Sequence, residues 1–556
     1  MNSPALPAAV AEWVAHDPDP GAAAELAACS DDELADRFAQ PLTFGTAGLR
    51  GPLRAGPNGM NLAVVLRATW GVAKVLSDRS PGSAVVVGYD ARHRSAEFGR
   101  AAAEVFAAQG FSVTLMYWAV PTPVVAFAVR SMGAAAGVQI TASHNPASDN
   151  GYKVYFAGGL QIVEPTDHDI EHAIAAAPPA DEIPRVSVPL GGVEQMRDYV
   201  ERAAAVRRTT GSVRVALTPM HGVGGEFALD ALALAGFGDV HVVDSQFAPD
   251  PDFPTVAFPN PEEPGAVDEL LALAAAVDAE IAVALDPDAD RCAIGVPTPA
   301  GWRMLSGDET GWLLGDYILS THRGTAAAVV ASTVVSSRML ASIAADHGAR
   351  HVETLTGFKW LARADDGVDG TLMYAYEEAI GHCVDPDAVR DKDGISAAVL
   401  ACDFVVALRD RGQTVLDALD GLARRHGVHT TTAVTRRVEN PSAAATLMAR
   451  LRATPPKRIA GFTVTATDLM PRTDALVFTG GDDTTSVRVV TRPSGTEPKL
   501  KSYIEVRCDG DLPIARARAA EVQDAVASAL AGMAFQQDSS RTSPAGMPFR
   551  QRRDGG

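Results

Sequence analysis

Short runs of β-branched residues alternate with longer stretches rich in alanine and leucine through most of the chain. The short runs predict buried strands at 84–89, 111–116, 137–141, 213–217, 240–243, 281–285 and 327–331. The longer stretches predict helices, most clearly at 96–109 and 395–408. Such alternation is typical of α/β architecture, in which helices cover a mostly parallel sheet.

The pattern changes toward the carboxyl end of the chain. Strands are predicted close together at 463–467, 475–479 and 486–491, which favours an α+β unit with an antiparallel sheet. Linkers are predicted near 183–192, 308–320 and 430–440. We therefore predict domains at 1–190, 191–310, 311–432 and 433–535, followed by a polar, disordered tail at 536–556.

Composition and charge narrow the class of protein. The 556 residues suggest three or four domains at about 150 residues each, and 47% of them are apolar, which excludes general disorder. A net charge of −20 argues against partners such as nucleic acid or an anionic membrane surface. Five scattered cysteines, no long apolar run and no basic, apolar leader fit a soluble enzyme in the reducing cytoplasm.

A loop of turn-forming residues, Thr-Ala-Ser-His-Asn-Pro, follows the predicted strand 137–141. Ser143 comes at the carboxyl end of that strand, where α/β proteins place ligand sites. Such a turn exposes the hydroxyl and leaves backbone N–H groups that can hold an anion. Nearby, His144 and Lys153 can assist proton transfer or neutralise a phosphate. The three residues are candidate catalytic groups, and the alternative is a surface turn.

Three aspartates alternate in Leu-Asp-Pro-Asp-Ala-Asp-Arg, directly after the predicted strand 281–285. Asp286, Asp288 and Asp290 can converge from one tight turn on a hard cation. Mg²⁺ prefers oxygen ligands and leaves coordination positions for a substrate phosphate. Without a cation, the neighbouring carboxylates repel one another by about 1 kcal/mol each. The pattern predicts a magnesium site, against the alternative of a solvated acidic turn.

Two further loops carry side chains suited to a sugar phosphate. Glu377 and Glu378 can accept hydrogen bonds from two adjacent sugar hydroxyls, and Lys392 adds positive charge in the next loop. Closer to the carboxyl end, Arg-Pro-Ser-Gly-Thr offers a compact set of anion donors: Arg492, Ser494, the Gly495 backbone and Thr496. Taken alone, each pattern also fits a solvated loop or helix start.

Together the four loops indicate phosphoryl transfer on a sugar phosphate. They supply a nucleophilic serine, a divalent metal, a grip on the sugar and a cradle for a distant phosphate. A net-negative chain needs local positive charge to attract an anionic substrate. Cationic residues fall in or beside these loops: Arg50, Lys153, Arg291, Lys359, Arg390, Lys392, Arg492 and Lys499.

These loops resemble the motifs of the α-D-phosphohexomutase family, which contains the phosphoglucomutases and phosphomannomutases. The matching segments are TFGTAGLRG at 43–51, TASHNP at 141–146, DPDADR at 286–291, EEAIG at 377–381 and RPSGTEP at 492–498. They occur in the family's order and span nearly the whole chain, so the joint match is specific.

The resemblance implies three related α/β domains and a C-terminal α+β domain of TATA-binding-protein-like topology. It implies that Ser143 carries a phosphoryl group, which one Mg²⁺ bridges to the three aspartates, with a sugar 1,6-bisphosphate as activator and intermediate. The residues with roles by this resemblance are Arg50 at the phosphoserine, Arg291, Gly357, Lys359, Glu377, Glu378 and Lys392 around the sugar, and Arg492, Ser494, Gly495 and Thr496 at the non-reacting phosphate.

The expected reaction interconverts the 1-phosphate and 6-phosphate of mannose or glucose, catalysed by a monomer or weak homodimer. Ala379 replaces the serine found in phosphoglucomutases, so one sugar contact is lost or replaced. With GFKW at 357–360, this sugar loop resembles the branch containing phosphopentomutases and glucose-1,6-bisphosphate synthases, and both activities stay open. The general acid and base are among His144, Lys153, Lys359 and Lys392.

Two readings from other classes compete with a mutase. A metal-dependent phosphatase using the same serine usually needs two or three metals held by His and Asp, and the sequence has no such histidine cluster. A binding protein derived from an inactive mutase would have lost the serine, an aspartate or the phosphate loop. All three features are present in this chain.

Overall fold

The computed structural model describes residues 5–44, 48–324, 327–438, 440–494 and 499–533. The chain forms two compact units, a large unit of residues 1–426 and a C-terminal unit of residues 427–556. No helix within the described ranges is both long enough and apolar enough to cross a membrane.

The first sheet of the large unit has seven strands in the order β1-β5-β4-β2-β3-β7, with β6 paired to β5. The strands are β1 Leu49–Pro52, β2 Ala84–Tyr89, β3 Ser112–Met116, β4 Ala136–Ile140, β5 Asp149–Phe156, β6 Leu160–Gln161 and β7 Leu190–Gly191. The helices of this region are α1 Ala5–His16, α2 Ala22–Ala27, α3 Asp31–Arg37, α4 Leu62–Arg79, α5 Ser95–Ala108, α6 Thr122–Ser131 and α7 Thr166–Ala175.

Alternation along β2 explains why this sheet is covered on both faces. Val85 and Val87 point into the cluster that contains α4 and α5, while Val86 joins α6 in a second cluster. Successive side chains of a strand point to opposite faces. A run of valines therefore requires helices on both sides of the sheet.

The second sheet has five strands in the order β12-β11-β10-β8-β9. Its strands are β8 Arg214–Thr218, β9 Asp239–Val242, β10 Ile281–Leu285, β11 Cys292–Thr298 and β12 Gly301–Met304. The accompanying helices are α8 Val193–Ala204, α9 Gly224–Leu234, α10 Asp244–Phe247 and α11 Asp268–Ala276. Since β8, β9 and β10 are mutually parallel, their carboxyl ends lie at one edge of the sheet, and the aspartate loop follows β10 there.

The third sheet has four strands in the order β14-β13-β15-β16. Its strands are β13 Ala328–Thr333, β14 Arg350–Thr354, β15 Thr371–Glu377 and β16 Gly381–Cys383. Its helices are α12 Gly307–Thr321, α13 Met339–Asp346, α14 Phe358–Leu361, α15 Gly394–Arg409 and α16 Val415–His426. The sugar loop is the tight connection between β15 and β16, which pair antiparallel.

One apolar cluster runs through all three sheets. It includes Val86 of β2, Leu217 of β8 and Val330 of β13, together with most of α15. Nearly every residue of α15 is buried, and the Asp393 side chain caps its amino end by accepting from the N–H groups of Ile395 and Ser396. The core therefore fixes the loop that precedes α15, which carries Lys392.

The C-terminal unit is a six-stranded antiparallel sheet with two helices, which agrees with the predicted α+β architecture. The strand order is β17-β22-β21-β20-β19-β18. The elements are β17 Val428–Arg437, α17 Pro441–Ala453, β18 Arg458–Ile459, β19 Phe462–Asp468, β20 Leu476–Gly481, β21 Thr485–Pro493, β22 Lys499–Cys508 and α18 Leu512–Met533.

Every strand and helix predicted above is present, with ends within two residues of the prediction. Two of the three predicted linkers are wrong. Residues 308–320 lie in α12, a buried helix whose start is fixed by a capping box between Ser306 and Glu309, and residues 430–437 belong to strand β17. Because α12 begins with polar residues, local composition alone does not show that one face of this helix is buried. The predicted tail at 536–556 lies outside the described residues, and the four domain boundaries stay predictions.

Candidate active site

Ser143 lies at the centre of the candidate site and is almost completely buried. It follows β4 and has a positive φ of 54°, which turns the chain sharply away from the sheet. The turn is held because the Ser143 N–H donates to Thr141 Oγ1 at 2.9 Å. Ser143 Oγ donates to Asp286 Oδ2 at 2.8 Å and lies 3.2 Å from His144 Nδ1. The predicted serine and aspartate loops therefore meet.

The three aspartates converge as the sequence predicts. One carboxylate oxygen from each lies within 4.8 Å of the others, and all three side chains are buried. Ala289, with a φ of 52°, makes the tight turn between Asp288 and Asp290. Within the described ranges, Asp288 Oδ1 and Asp290 Oδ1 are buried and accept no hydrogen bond. Two carboxylate oxygens with no donor and a third carboxylate beside them suit a hard divalent cation.

Two lysines enter the aspartate cluster from other parts of the large unit. Lys153 Nζ on β5 lies 2.6 Å from Asp288 Oδ2 and 2.7 Å from Asp290 Oδ2. Lys392 Nζ lies 3.2 Å from Asp290 Oδ2. Burial alone would lower the pKa of each lysine, but the aspartates outweigh it and raise the pKa of both. Both side chains are therefore ammonium ions at neutral pH.

The carboxylates respond differently to the same surroundings. Burial raises the pKa of Asp286 well above its usual range, and the charges of Asp288 and Asp290 act in the same direction. Burial also opposes ionisation of Asp288, yet the neighbouring Lys153 ammonium lowers the pKa of that carboxyl overall. The lysine ammonium groups thus stabilise the ionised forms of Asp288 and Asp290.

Arg50 and His144 flank the serine. Arg50 on β1 places Nη1 3.5 Å from Asn145 Oδ1 in the serine loop, and its Nε is buried without a hydrogen-bond partner in the described structure. The pKa of His144 falls well below its usual value because of burial and then because of the nearby Arg291 and Arg50. The imidazole is therefore neutral and can accept or pass on a proton at Ser143 Oγ.

The two glutamates of the sugar loop point to different surroundings. Glu377 Oε1 lies 3.9 Å from Arg291 Nη2, and burial raises the pKa of this carboxyl. By contrast, Glu378 Oε2 accepts from Ser336 Oγ at 3.0 Å and from Thr333 Oγ1 at 3.2 Å. Glu377 lies beside the cations of the candidate site, whereas Glu378 is tied to the end of β13.

Arg291 connects the metal loop with the sugar loop. Its Nη1 donates to the backbone oxygen of Ala379 at 3.2 Å, and its Nε lies 3.8 Å from Asp290 Oδ1. A backbone bridge also joins Arg291 to Gly381. The guanidinium is surrounded by carboxylates at 3.8 to 4.0 Å, beyond ideal hydrogen-bond distance, so it can reorient toward an anionic ligand.

Lys359 and Gly357, predicted in a sugar-specificity loop, lie at the start of α14. Gly357 has a φ of 106°, a conformation that favours glycine, and lets the chain turn into the helix. Lys359 Nζ lies 4.0 Å from Asp167 Oδ2 of α7 and over the ring of Trp360. Its neighbour Phe358 packs beneath the Lys392 ammonium. Lys359 thus faces α7, whereas Phe358 of this segment contacts the Lys392 ammonium.

The predicted phosphate loop connects β21 and β22 of the C-terminal unit. Arg492 lies near the end of β21, paired with Lys501, and the Ser494 N–H donates to the Lys499 oxygen at 2.8 Å. Gly495 and Thr496 lie outside the described residues. Their role, like that of Arg492 and Ser494, stays a prediction.

Three residues at the site were missed by the sequence analysis. Thr122, the first residue of α6, donates from its N–H to the Asp288 oxygen at 2.9 Å and from Oγ1 to Asp288 Oδ2. Asp391 accepts from Tyr155 and Gln161, both at 2.7 Å, on the side of Lys392 facing the first sheet. Arg92 binds the backbone of the serine loop. Of these three residues, only Arg92 could have been found from the sequence, because it follows a predicted strand whose carboxyl end lies at the same sheet edge as the serine loop.

Family models match three successive segments of the chain. Phosphoglucomutase/phosphomannomutase alpha/beta/alpha domains I, II and III match residues 41–180, 197–300 and 306–425, which together make up more than half of the protein. The chain belongs to the phosphoglucomutase and phosphomannomutase family. It is therefore an isomerase of the phosphohexomutase type, acting on phosphosugars, and the sequence-based prediction of family and fold class is confirmed.

Relatives within this family carry different substrate names. A probable phosphomannomutase of Haemophilus influenzae (strain Rd) is 41% identical over 81% of this chain and 93% of its own length. The phosphopentomutase of Mus musculus is 34% identical over 89% of both chains. A crystal structure of a family protein from Burkholderia thailandensis, 21% identical over 89% of this chain and 98% of its own, has the same fold, with a TM-score of 0.68.

Proposed function

We propose that this family member interconverts the 1-phosphate and 6-phosphate of mannose or glucose, with Ser143 as the phosphoryl carrier. The observation that carries the proposal is the 2.8 Å contact from Ser143 Oγ to Asp286 in the buried aspartate cluster. A hydroxyl held against a cation site and surrounded by lysine and arginine side chains is suited to receive and donate a phosphoryl group, because such transfer depends mainly on positioning and charge neutralisation.

The residues present fit a single Mg²⁺. Asp286, Asp288 and Asp290 would hold it together with an oxygen at Ser143, and the two carboxylate oxygens without donors provide ligand positions. When bound, the ion supplies positive charge that stabilises the transferring phosphoryl group. The sugar 1,6-bisphosphate is proposed as the activator that first phosphorylates the serine.

The proposed reaction has two balanced half-reactions. In the first, the bond between phosphorus and Ser143 Oγ breaks as a bond forms to the free hydroxyl of the sugar monophosphate, which loses its proton. In the second, the bisphosphate has turned over in the site, and the bond between its other phosphorus and the sugar oxygen breaks as a bond forms to Ser143 Oγ. The freed sugar oxygen takes up a proton and becomes the product hydroxyl. His144 Nδ1, 3.2 Å from Ser143 Oγ, is placed to take the serine proton in this step and to return it when the phosphoserine next donates its phosphoryl group.

A pentose phosphate is the second candidate substrate. Ala379 offers no hydroxyl to the sugar, and Glu378 is occupied by Ser336 and Thr333, so one carboxylate, Glu377, is left to face the substrate from this loop. A phosphopentomutase also matches most of the chain. These observations favour a sugar-binding loop that makes few contacts with the sugar and would therefore also accept a shorter sugar.

Initial rates with glucose 1-phosphate, mannose 1-phosphate and ribose 1-phosphate test the proposal, with Mg²⁺ and catalytic glucose 1,6-bisphosphate present. We expect the highest kcat/KM with a hexose phosphate. A clear preference for ribose 1-phosphate would replace the hexose assignment with the pentose one. If none of the three sugars turns over, the assay should be repeated with an acyl phosphate donor, and formation of the bisphosphate would then identify a synthase.

Glu377→Gln should lower kcat/KM by roughly 10- to 100-fold, because hydrogen bonds to a charged group contribute about 1.5–3 kcal/mol. The matched variant Glu378→Gln keeps an acceptor for Ser336 and Thr333 and should stay within a few-fold of the original activity. Both effects are measured as kcat and KM with the preferred sugar phosphate. A larger loss in Glu378→Gln than in Glu377→Gln would contradict the assignment of Glu377 as the residue that contacts the sugar.

A further inference from the structure

Arg92 lies in the connection between β2 and α5 and is almost fully buried. Its guanidinium binds four backbone oxygens of the serine loop. Nη2 donates to the Ser143 oxygen at 2.7 Å and to the Asn145 oxygen at 2.5 Å. Nη1 donates to the Pro146 oxygen at 2.7 Å and to the Asp149 oxygen at 3.1 Å. One side chain therefore holds both sides of the loop that carries the nucleophile.

The guanidinium is itself fixed from two directions. Asp90 Oδ2 lies 3.5 Å from Arg92 Nε, while Asp90 Oδ1 accepts from the Arg92 N–H at 2.9 Å and from Ser95 Oγ at 2.6 Å. On its other side, the guanidinium carbon lies 4.9 Å from the centre of the Phe253 ring. Phe253 belongs to the segment between β9 and α11, so Arg92 also joins the first sheet's loop to the part of the chain around the second sheet.

The serine loop has few internal hydrogen bonds of its own. Within 142–149, the backbone contacts are Asn145 N–H to the Ala142 oxygen and Asp149 N–H to the Pro146 oxygen. Ser143 has a positive φ, and Pro146 has no N–H to donate. Thr141 Oγ1 accepts from the Ser143 N–H at 2.9 Å, and Asn145 Nδ2 donates to Asp149 Oδ2 at 3.0 Å. Beyond these contacts, the path of the loop and the direction in which Ser143 Oγ points depend on what holds the loop's carbonyl groups, and Arg92 holds four of them.

We infer that Arg92 is a positioning residue that orients Ser143 Oγ toward the aspartate cluster for phosphoryl transfer. The inference rests on the proposed role of Ser143 as phosphoryl carrier. In the described part of the chain the contacts of Arg92 are with the serine loop, Asp90 and Phe253 rather than with the sugar loop, so its loss should slow transfer to and from the serine while leaving sugar binding largely intact. Lysine is a poor substitute, because its ammonium has three donors around one nitrogen, whereas the planar guanidinium reaches four oxygens at once.

Arg207 provides a matched control elsewhere in the large unit. Its guanidinium also donates to backbone oxygens, those of Thr209, Gly211 and Ala235, and it also lies over an aromatic ring, that of Phe237. Thr209 and Gly211 precede β8, and Ala235 and Phe237 follow the end of α9, so these contacts lie at the amino edge of the second sheet, whereas the aspartate loop lies at the carboxyl edge. Arg207→Lys should thus cost stability in the same way as Arg92→Lys without disturbing the serine.

The test compares Arg92→Lys and Arg207→Lys with the unaltered enzyme. For each protein we would measure kcat, KM and the thermal midpoint of unfolding. The rate at which glucose 1,6-bisphosphate phosphorylates Ser143 would be measured by mass spectrometry. For Arg92→Lys we expect kcat and the phosphorylation rate to fall by about 10²-fold, because a displacement of a reacting group by about 1 Å can cause a loss of that size. KM should change less than about threefold. Arg207→Lys should lower the thermal midpoint but keep kcat.

Phe253→Leu is a milder second variant in case Arg92→Lys does not fold, because it removes the ring beneath the guanidinium and leaves the polar contacts in place. It should lower kcat less than Arg92→Lys, again with KM unchanged. The inference would be overturned if kcat were equal in Arg92→Lys, Phe253→Leu and Arg207→Lys. It would also be overturned if Arg92→Lys changed KM and left kcat unaltered. Absence of phosphate on Ser143 in the unaltered enzyme would instead overturn the proposed function, which keeps the two failures distinct.

Discussion

Replacing Ser143 with alanine should abolish phosphorylation of the protein by glucose 1,6-bisphosphate and lower kcat on the order of 10⁴-fold or more, the scale seen when a covalent nucleophile is removed. The expectation follows from the geometry, since Ser143 Oγ is the hydroxyl that contacts Asp286 in the aspartate cluster. Turnover and incorporation of phosphate are measured on the same preparation, so that loss of activity can be assigned to loss of the carrier.

Ser148→Ala is the control for that variant. Ser148 lies in the same loop, is exposed, and donates to Asp149 Oδ1 at 3.0 Å rather than to the cluster. It should keep kcat within about twofold, as surface substitutions usually have small effects. Substantial turnover in Ser143→Ala, or phosphate still incorporated at another residue, would show that Ser143 is not the carrier.

Asp288→Asn should lower kcat/KM by roughly 10³-fold and weaken the response of the rate to Mg²⁺, because a bound cation contributes several kcal/mol of charge stabilisation in phosphoryl transfer. The substitution removes one carboxylate of the cluster and one of the two that face the Lys153 ammonium at 2.6–2.7 Å. Rates are measured over a Mg²⁺ titration, and binding of Mn²⁺ as a probe is followed by electron paramagnetic resonance.

Asp278→Asn is the matched control for Asp288→Asn. Asp278 is an exposed aspartate shortly before β10, at the end of that strand opposite the aspartate cluster. Its φ is positive, a conformation that asparagine tolerates, so the substitution should not strain the backbone. Its metal response should be unchanged. An Asp288→Asn variant that keeps its Mg²⁺ response and its rate would contradict a metal site built on the three aspartates.

The elements and the converging loops were predictable because they depend on local sequence. The run Ile281–Leu285 is buried along its whole length, and alternating aspartates directly after it must lie together at the strand's carboxyl end. The serine loop was predictable for the same reason. Where the chain follows such local rules, as at β2 and α15, the predicted and observed bounds agree within two residues.

Contacts between residues distant in sequence were not predictable in this way. Lys153 was expected to neutralise a phosphate, yet its ammonium binds aspartates more than 130 residues further along the chain. Glu377 and Glu378 look equivalent in sequence, and only the position of Ser336 and Thr333 separates their surroundings. Helix α12 was missed as a helix because its first residues are acidic, although Ser306 and Glu309 formed a readable capping box.

The apolar cluster that runs through the three sheets of the large unit has a consequence for how this protein can be handled. Val86, Leu217 and Val330 come from three different sheets but share one buried interior. A fragment carrying a single sheet would expose its share of that interior to water, and a large exposed apolar surface promotes aggregation. The family's α/β modules are thus separable as segments of sequence, but in this chain they should be expressed, melted and refolded as a single body.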